Sequence, residues 1–455
     1  MRIAWYTHRY APCIGGAETY GRAMVRRFVA GGHEVEVLTS NAKDLWHFND
    51  PRRARLEEPA ESLVDGAKVR RFPVHHVPFQ RYAGKLLSFA PHWPTRCRYA
   101  SYMPILPGLE GAEGSFDAVF AVGFPFTVFS FAAWKKARAS GAPLILTPFL
   151  HLATPGDPVN RHYTRPHQIR LLREADAVVV VTRLEADAVA GWGIPRDRIV
   201  RVSMGFEPDE VCGGRGARFR ESCRIAPHRP LIGHLATLDP NKGTNDLVRS
   251  VLALNEARPA DDPVYLALAG VSSPHFERFA EGLPASSRRW LIRTGPLSVG
   301  EKADFFDAID VFAMPSRTDS FGIVFLEAWA NGKPVVAAAA GGVVEVVDHD
   351  STGVLVPFGD VEKLTTALDW LIHEPETARR LGEAGRDRVA RGCSWDDCFQ
   401  ILNDRLAVVT RSGRRIDQAN RRLIGPRRRA VPSQPAGRGD DGPPGSIAER
   451  EVQAG

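Results

Sequence analysis

Cysteine is scarce in this chain of 455 residues. The six present (Cys13, Cys97, Cys212, Cys223, Cys393 and Cys398) form no Cys-x-x-Cys pair, and no histidine lies at ligand spacing from them. That argues against a zinc site or a disulfide scaffold, and the scatter suits a reducing compartment. Long apolar runs are also lacking. Met1–Arg9 holds no stretch suited to a secretory signal. The uncharged run from Ala118 to Trp134 is 17 residues long and is broken by Gly123, Pro125, Thr127 and Ser130. No transmembrane segment is expected, and the location expected is cytoplasmic, either free or peripheral at the inner face of the membrane.

A basic body is lacking as well. The net charge is +6, but residues 411–455 carry ten Arg against five acids, which leaves about +1 for the rest. The high pI therefore describes the tail, not the body. The loop after the first strand, Gly15-Gly16-Ala17-Glu18, is not Gly-x-Gly-x-x-Gly, so a nicotinamide dehydrogenase has no support from it. No Asp-x-Asp pair marks a credible active-site loop, so no metal or other cofactor is expected.

What is present is an alternation of short β-rich runs with amphipathic helical stretches, the pattern of parallel sheets of the Rossmann type. Strands are expected at Arg2–Tyr6, Glu34–Thr39, Ala118–Val122, Pro143–Thr147, Ala177–Thr182 and Ile199–Ser203. Between the first two, Tyr20, Met24 and Phe28 share a face of a helix spanning Ala17–Ala30, which Gly31-Gly32 end. The alternation restarts with strands at Pro230–Leu238, Val264–Gly270, Val311–Met314, Pro334–Ala338 and Gly353–Pro357. Helices are expected from Thr244 to about Glu256, after the capping box Ser298-Val299-Gly300-Glu301, and over Asp360–His373. The Gly- and Arg-rich stretch Gly205–His228 reads as the linker. After about Thr410 the pattern fails, and a disordered basic tail is expected over residues 411–455.

The densest signal is Pro315-Ser316-Arg317-Thr318-Asp319-Ser320-Phe321-Gly322-Ile323-Val324-Phe325-Leu326-Glu327-Ala328. A buried strand stops at a proline, and a helix with apolar spacing runs from Ser320 to Asn331. Asp319 then sits at the mouth of the turn and Glu327 about 12 Å further along the helix axis. The unpaired first-turn amides between them suit a diphosphate, with one carboxylate for the hydroxyls at each of its ends. A capping Asp and a solvated Glu would be the ordinary alternative.

In its context of Pro-Ser, Phe-Gly and Glu-Ala, this segment resembles the retaining glycosyltransferases of family 4, and the resemblance covers nearly all of residues 1–410. It implies an α/β GT-B fold of two Rossmann-like parallel-sheet domains facing across a cleft. An acceptor domain of residues 1–205 is expected, with a crossover helix near 395–410, and a donor domain of residues 206–394. In that family the first acid meets donor-sugar hydroxyls and the second holds the ribose, which maps these roles onto Asp319 and Glu327. The first acid here is Asp rather than Glu, shorter by about one C–C bond, so altered donor choice is expected.

Other residues are read alongside. Gly15-Gly16 follows the first strand, where glycines let amides approach a ligand, and the resemblance places this loop near donor phosphate and acceptor. His151 lies beyond the end of the Pro143–Thr147 strand, where parallel sheets bind ligands; the family's Phe-x-His segment implies a contact to donor sugar or transition state. Lys242, in Asp239-Pro240-Asn241-Lys242-Gly243, is suited to neutralise a leaving diphosphate. The family usually adds an arginine after the preceding strand's glycine, but Gly233 is followed by His234. Either protonated His234 or Arg317 is expected to supply that charge. Ser320, Phe321 and Gly322 complete the donor loop. By resemblance, Gly341-Gly342-Val343-Val344-Glu345 faces the nucleotide pocket and Gly295-Pro296-Leu297-Ser298 lies over the base.

Residues 66–109 contain seven Lys/Arg and no Asp/Glu, interleaved with Phe72, Phe79, Tyr82, Phe89, Trp93, Tyr99 and Tyr102. Either a flap with buried aromatics or a contact to an anionic membrane or acceptor fits; nucleic acid is not expected as a partner. The expected activity is metal-independent transfer of a sugar, with retention, from a UDP-, GDP- or ADP-linked donor to a hydroxyl acceptor. The alternatives are a nucleotide-sugar epimerase or hydrolase on the same fold, or a catalytically silent nucleotide-binding or membrane-associated scaffold.

Overall fold

Two parallel sheets organise the computed structural model, which describes residues 1–100, 103–154 and 156–424. Fourteen strands divide between them. The first sheet takes β1 (Arg2–Thr7), β2 (Glu34–Ser40), β3 (Glu61–Val64), β4 (Ala67–Phe72), β5 (Ala118–Val122), β6 (Leu144–Thr147), β7 (Ala177–Val180) and β8 (Ile199–Arg201). Its spatial order is β3-β4-β2-β1-β5-β6-β7-β8, parallel except where β3 meets β4. The second takes β9 (Leu231–Leu235), β10 (Tyr265–Ala269), β11 (Leu291–Gly295), β12 (Val311–Met314), β13 (Val335–Ala338) and β14 (Gly353–Val356), in the order β11-β10-β9-β12-β13-β14. The inner strands are sealed on both faces by helices, which is why β7 and β13 read as unbroken apolar runs.

The sequence misses three strands, all at or next to edges. β3 and β4 carry Glu61, Lys68, Arg70 and Arg71 and lack the apolar continuity of inner strands. Their signal is the Asp65-Gly66 turn, with φ of 49° and 79°, the pair of left-handed residues a tight hairpin demands. β11 is half-exposed and carries Arg293.

The stretch expected as a plain linker is more ordered. It contains the helices Pro208–Val211 and Gly216–Ser222. Arg218 Nε donates to Asp304 (2.7 Å) and Arg220 Nη2 to Asp310 (2.9 Å), which fastens the segment to the second sheet's layer. The last helix, Trp395–Ile424, runs past Thr410, where the apolar pattern weakens; the rest of the expected tail lies outside the described residues, as does Tyr102. Trp395 packs on Tyr20 and Phe399 on Phe28, and Cys398 Sγ donates to the Ser203 carbonyl at 2.9 Å. Where the chain crosses between sheets the two passages touch, through a bridge between Phe206 and Ser394.

Each sheet reverses strand order once around its first strand, between β1 and β5 in one and between β9 and β12 in the other. Crevices beyond such switch points are where open parallel sheets bind ligands.

Candidate active site

Loops leaving β1, β6, β9 and β12 close one cavity of about 290 Å³. From the first sheet come Gly15, Gly16 and His151; from the second come Lys242, Asp319, Ser320, Phe321, Gly322 and Glu327. Nine of the eleven residues singled out by sequence thus meet in one place. Pro296 and Leu297 line it too.

The acid-bearing helix is shorter than the pattern predicts, spanning Ile323–Ala330 with Gly322 before it at φ 91°. Asp319 therefore sits in the loop, and Ser320 to Gly322 form a bend rather than a first turn. The helix's early residues Ile323 and Val324 line the cavity, where first-turn N–H groups lack intrahelical acceptors.

Each acid meets a lysine. Lys242 Nζ donates to Asp319 Oδ2 at 2.6 Å. Burial works to raise the Asp319 pKa, but Lys242, His151 and the Phe321 amide outweigh it, and the carboxyl stays below its usual range. Lys302 Nζ, from the Val299–Ala308 helix, donates to Glu327 Oε1. The other oxygen, Glu327 Oε2, is buried without a hydrogen-bond partner, and the residue is 4% exposed. A buried carboxylate oxygen left over costs energy unless a donor reaches it, so this atom is suited to a ligand hydroxyl.

His151 stacks on Tyr163 at 5.3 Å between ring centres, with planes 9° apart. Burial pushes its pKa down to about 4, and Lys242 adds to this, although Asp319 and a backbone hydrogen bond at Thr318 pull the other way. At neutral pH it is an uncharged hydrogen-bonding group.

The glycine loop has a specific reason for Gly15. A Cβ there would stand 2.3 Å from Glu18 Oε2. Glu18 is itself buried beneath the loop, with Arg9 Nη2 at 2.6 Å and His8 Nε2 at 3.3 Å. Burial would raise its pKa, but Arg9 and His8 prevail and hold it down at about 2. A fixed anion braces the Gly15-Gly16 turn from below.

Two expected donor residues are placed elsewhere. His234 is fully buried; its Nδ1–H donates to the Ala313 carbonyl (2.8 Å) and its Nε2 accepts from the Thr244 hydroxyl (3.0 Å). A carbonyl only accepts and the hydroxyl has a proton to give, so both bonds suit the neutral ring. Burial pushes the pKa down to about 4. His234 thus supplies no positive charge to a diphosphate; it splints β12 to the Lys242 loop. Arg317 is also taken, since Nε and Nη2 both donate to the Asp157 carboxylate at 2.9 Å. Asp157 follows β6, so this pair spans the two sheets' loops. Glu345 does not face the cavity either. Its carboxylate accepts the amides of Arg183 (2.8 Å) and Leu184 (2.6 Å) at the start of the Arg183–Gly191 helix. The charged residues that sequence reasoning missed are Lys302 and Glu18. Lys302 adjoins the capping-box Glu301, which was the only signal near it.

Comparison with known proteins adds family evidence. A family described as glycosyl transferases group 1 matches residues 217–388, and a glycosyl transferase 4-like domain matches residues 15–205. The GDP-mannose-dependent alpha-(1-6)-phosphatidylinositol monomannoside mannosyltransferase of Mycobacterium tuberculosis is 33% identical over 422 residues, covering 89% of this chain and 97% of that protein. The D-inositol 3-phosphate glycosyltransferase of Stackebrandtia nassauensis is 27% identical over 440 residues, covering 91% and 89%. Among solved structures, Thermosynechococcus elongatus sucrose-phosphate synthase superposes with a TM-score of 0.66 at 20% identity, over 93% of this chain and 99% of that one. Anabaena HepE in complex with UDP-glucose gives 0.65 at 17%, over 90% and 100%.

Proposed function

Because the chain belongs to the family 4 type of GT-B glycosyltransferases, we propose that it transfers a sugar from a nucleotide-sugar with retention and without a metal ion. The observation that carries this reading is the single cavity in which Gly16 and His151 of one sheet face Lys242, Asp319 and Glu327 of the other. The donor lies along the second sheet's loops. Glu327 Oε2 takes a ribose hydroxyl, Lys242 exchanges Asp319 for the diphosphate, and Asp319 turns to the sugar hydroxyls. The acceptor enters beside Gly15 and Gly16.

Transfer then proceeds on one face. The anomeric C–O bond to the β-phosphate breaks, the departing phosphate oxygen takes the acceptor hydroxyl's proton, and the acceptor oxygen bonds to the anomeric carbon. Lys242 stabilises the charge that builds on the leaving group, a role that positioning and electrostatics supply without covalent participation. Neutral His151 donates a hydrogen bond to the sugar or transition state.

The relatives' acceptors, inositol 3-phosphate and a phosphatidylinositol mannoside, make phosphorylated inositol the first acceptor class to try. The test pairs GDP-mannose, UDP-glucose and ADP-glucose with those acceptors, with and without EDTA. Product bearing the donor's anomeric configuration, formed undiminished in EDTA, is expected. An inverted product, or activity restored only by Mg²⁺, would overturn the mechanism proposed. Donor consumption with no transfer would mark a hydrolase.

A further inference from the structure

The aromatic and basic segment of residues 66–109 is sorted by the fold into packed and exposed members. Phe72 is 9% exposed, and Trp93 packs edge-on against Phe131 and Trp134. In contrast Phe79, Tyr82, Leu86 and Phe89 are 80%, 77%, 76% and 77% exposed. Tyr82 and Leu86 lie four residues apart on one face of the Gln80–Leu87 helix, and Phe79 and Phe89 flank it just before its start and just after its end. The opposite side of the same helix, at Gly84 and Leu87, is the side that faces the protein. Four large, three-quarters-exposed side chains within eleven residues, on and flanking one short helix, are more than the scattered exposed apolar residues of an ordinary surface.

Cations edge the stripe. Lys85 is exposed on the helix itself. Arg96 donates through Nη2 to the Phe89 carbonyl at 3.5 Å, and Arg165 through Nη1 to Ser88 Oγ at 3.3 Å, which places both at its far end. No Asp or Glu lies between residues 66 and 109, so Lys85 and Arg96 have no acidic neighbour within the segment itself. Arg165 also ties the stripe to the site, being two residues from Tyr163, which stacks on His151.

We propose that the Phe79, Tyr82, Leu86 and Phe89 stripe, edged by Lys85, Arg96 and Arg165, is a docking surface for an anionic lipid bilayer. Aromatic and leucine side chains enter the boundary of headgroup and acyl chain while the flanking cations meet lipid phosphates, the division of labour of an interfacial helix. Charge complementarity selects this occupant: an acidic protein surface would satisfy the cations but leave the apolar stripe wet, and a second copy would bring like charges together. Docking there puts the mouth of the cavity near the membrane plane, where a lipid-linked acceptor would present its headgroup. The proposal does not depend on which sugar is transferred.

The test is co-sedimentation of the full chain with vesicles containing phosphatidylglycerol, against pure phosphatidylcholine vesicles. Wild type is expected to bind the anionic vesicles and to be released by high salt. Phe79→Ser with Leu86→Ser, and separately Lys85→Glu, are each expected to lower binding, the first pair by about tenfold. Both should keep the wild-type thermal shift with the nucleotide donor, so a lost transfer reading and a lost membrane reading separate cleanly. No binding of wild type overturns the proposal. So does stripe-variant binding equal to wild type, which would assign the affinity to the Arg-rich C-terminal segment. A wild-type dimer in size-exclusion chromatography that the stripe variant converts to monomer overturns it in favour of self-association.

Discussion

Lys242 and Lys302 each hold one member of the acid pair, so donor binding exchanges ion pairs rather than exposing bare charges. Their expected phenotypes differ. Lys242→Ala should cut kcat by about 10²–10³, the usual loss for a group that stabilises charge only in the transition state; an unchanged kcat would remove Lys242 from the chemistry. Lys302→Ala frees Glu327, the proposed ribose ligand, and should raise the donor KM several-fold more than it lowers kcat. His151 supplies a pH prediction. Its pKa lies near 4, below the ordinary 6.5, so it stays neutral as pH falls through 6.5 and protonates only toward 4. The profile of kcat/KM should carry no His151 inflection between pH 5 and 8. An inflection near 6.5 that vanishes in His151→Ala would contradict it. His234 extends the argument to stability. Its folded pKa is depressed, so the unfolded chain binds its proton first and stability is lost as pH falls from about 6.5 toward 4. His234→Gln should flatten that slope relative to wild type in acid-denaturation curves.

At the level of elements, the Lys242 loop and the acid loop lie against each other because Gly243 has no side chain. It adopts φ 71°, and a Cβ there would stand 2.1 Å from the Pro315 carbonyl oxygen. Gly243→Ala should cost at least about 1–3 kcal/mol in chemical denaturation and weaken donor binding as well, because the loops must part. Stability within about 0.5 kcal/mol of wild type would refute this close fit. Much at this scale was legible in the sequence. Inner strands such as Ala118–Val122 and Val311–Met314 announce themselves because both faces are buried, and the Ser298–Glu301 capping box forms as its spacing dictates. Edges were illegible, since β3, β4 and β11 need only one apolar face or none. Side-chain direction was illegible too. His234 follows Gly233 as an arginine would in related chains, but only the fold shows that its ring turns inward to Ala313 and Thr244. Lys302 was hidden for the converse reason: a lysine on an amphipathic helix looks solvated until Glu327 is seen beside it.

At the scale of the whole molecule, two side-chain hydrogen-bonded contacts among the described residues join the two sheets' loops away from the cavity. Arg317 grips Asp157 with two hydrogen bonds, and Glu345 caps the Arg183–Gly191 helix in place of its missing acceptors. Both join loops of one sheet to elements of the other, so they favour the closed arrangement in which both halves of the site meet. Asp157→Asn and Arg317→Gln should each lower donor kcat/KM several-fold, and the double variant should be less than additive, with a coupling of about 1 kcal/mol. Strict additivity in that cycle would show that the pair does not act as a latch.

The returning helix has a consequence for biosynthesis. Tyr20 and Phe28 of the first helix complete their packing only against Trp395 and Phe399. Between β8, which ends at Arg201, and Trp395 the ribosome must make the whole second sheet, a delay of about 10–40 s at usual elongation rates. During that interval the N-terminal half waits with an aromatic face uncovered, although it was made first. The second half, which needs no later segment for its sheet, has the chance to settle before it. A ribosome stalled before Trp395 should therefore display a protease-sensitive first half beside a resistant second one, and the nascent first half is the natural client for a holding chaperone.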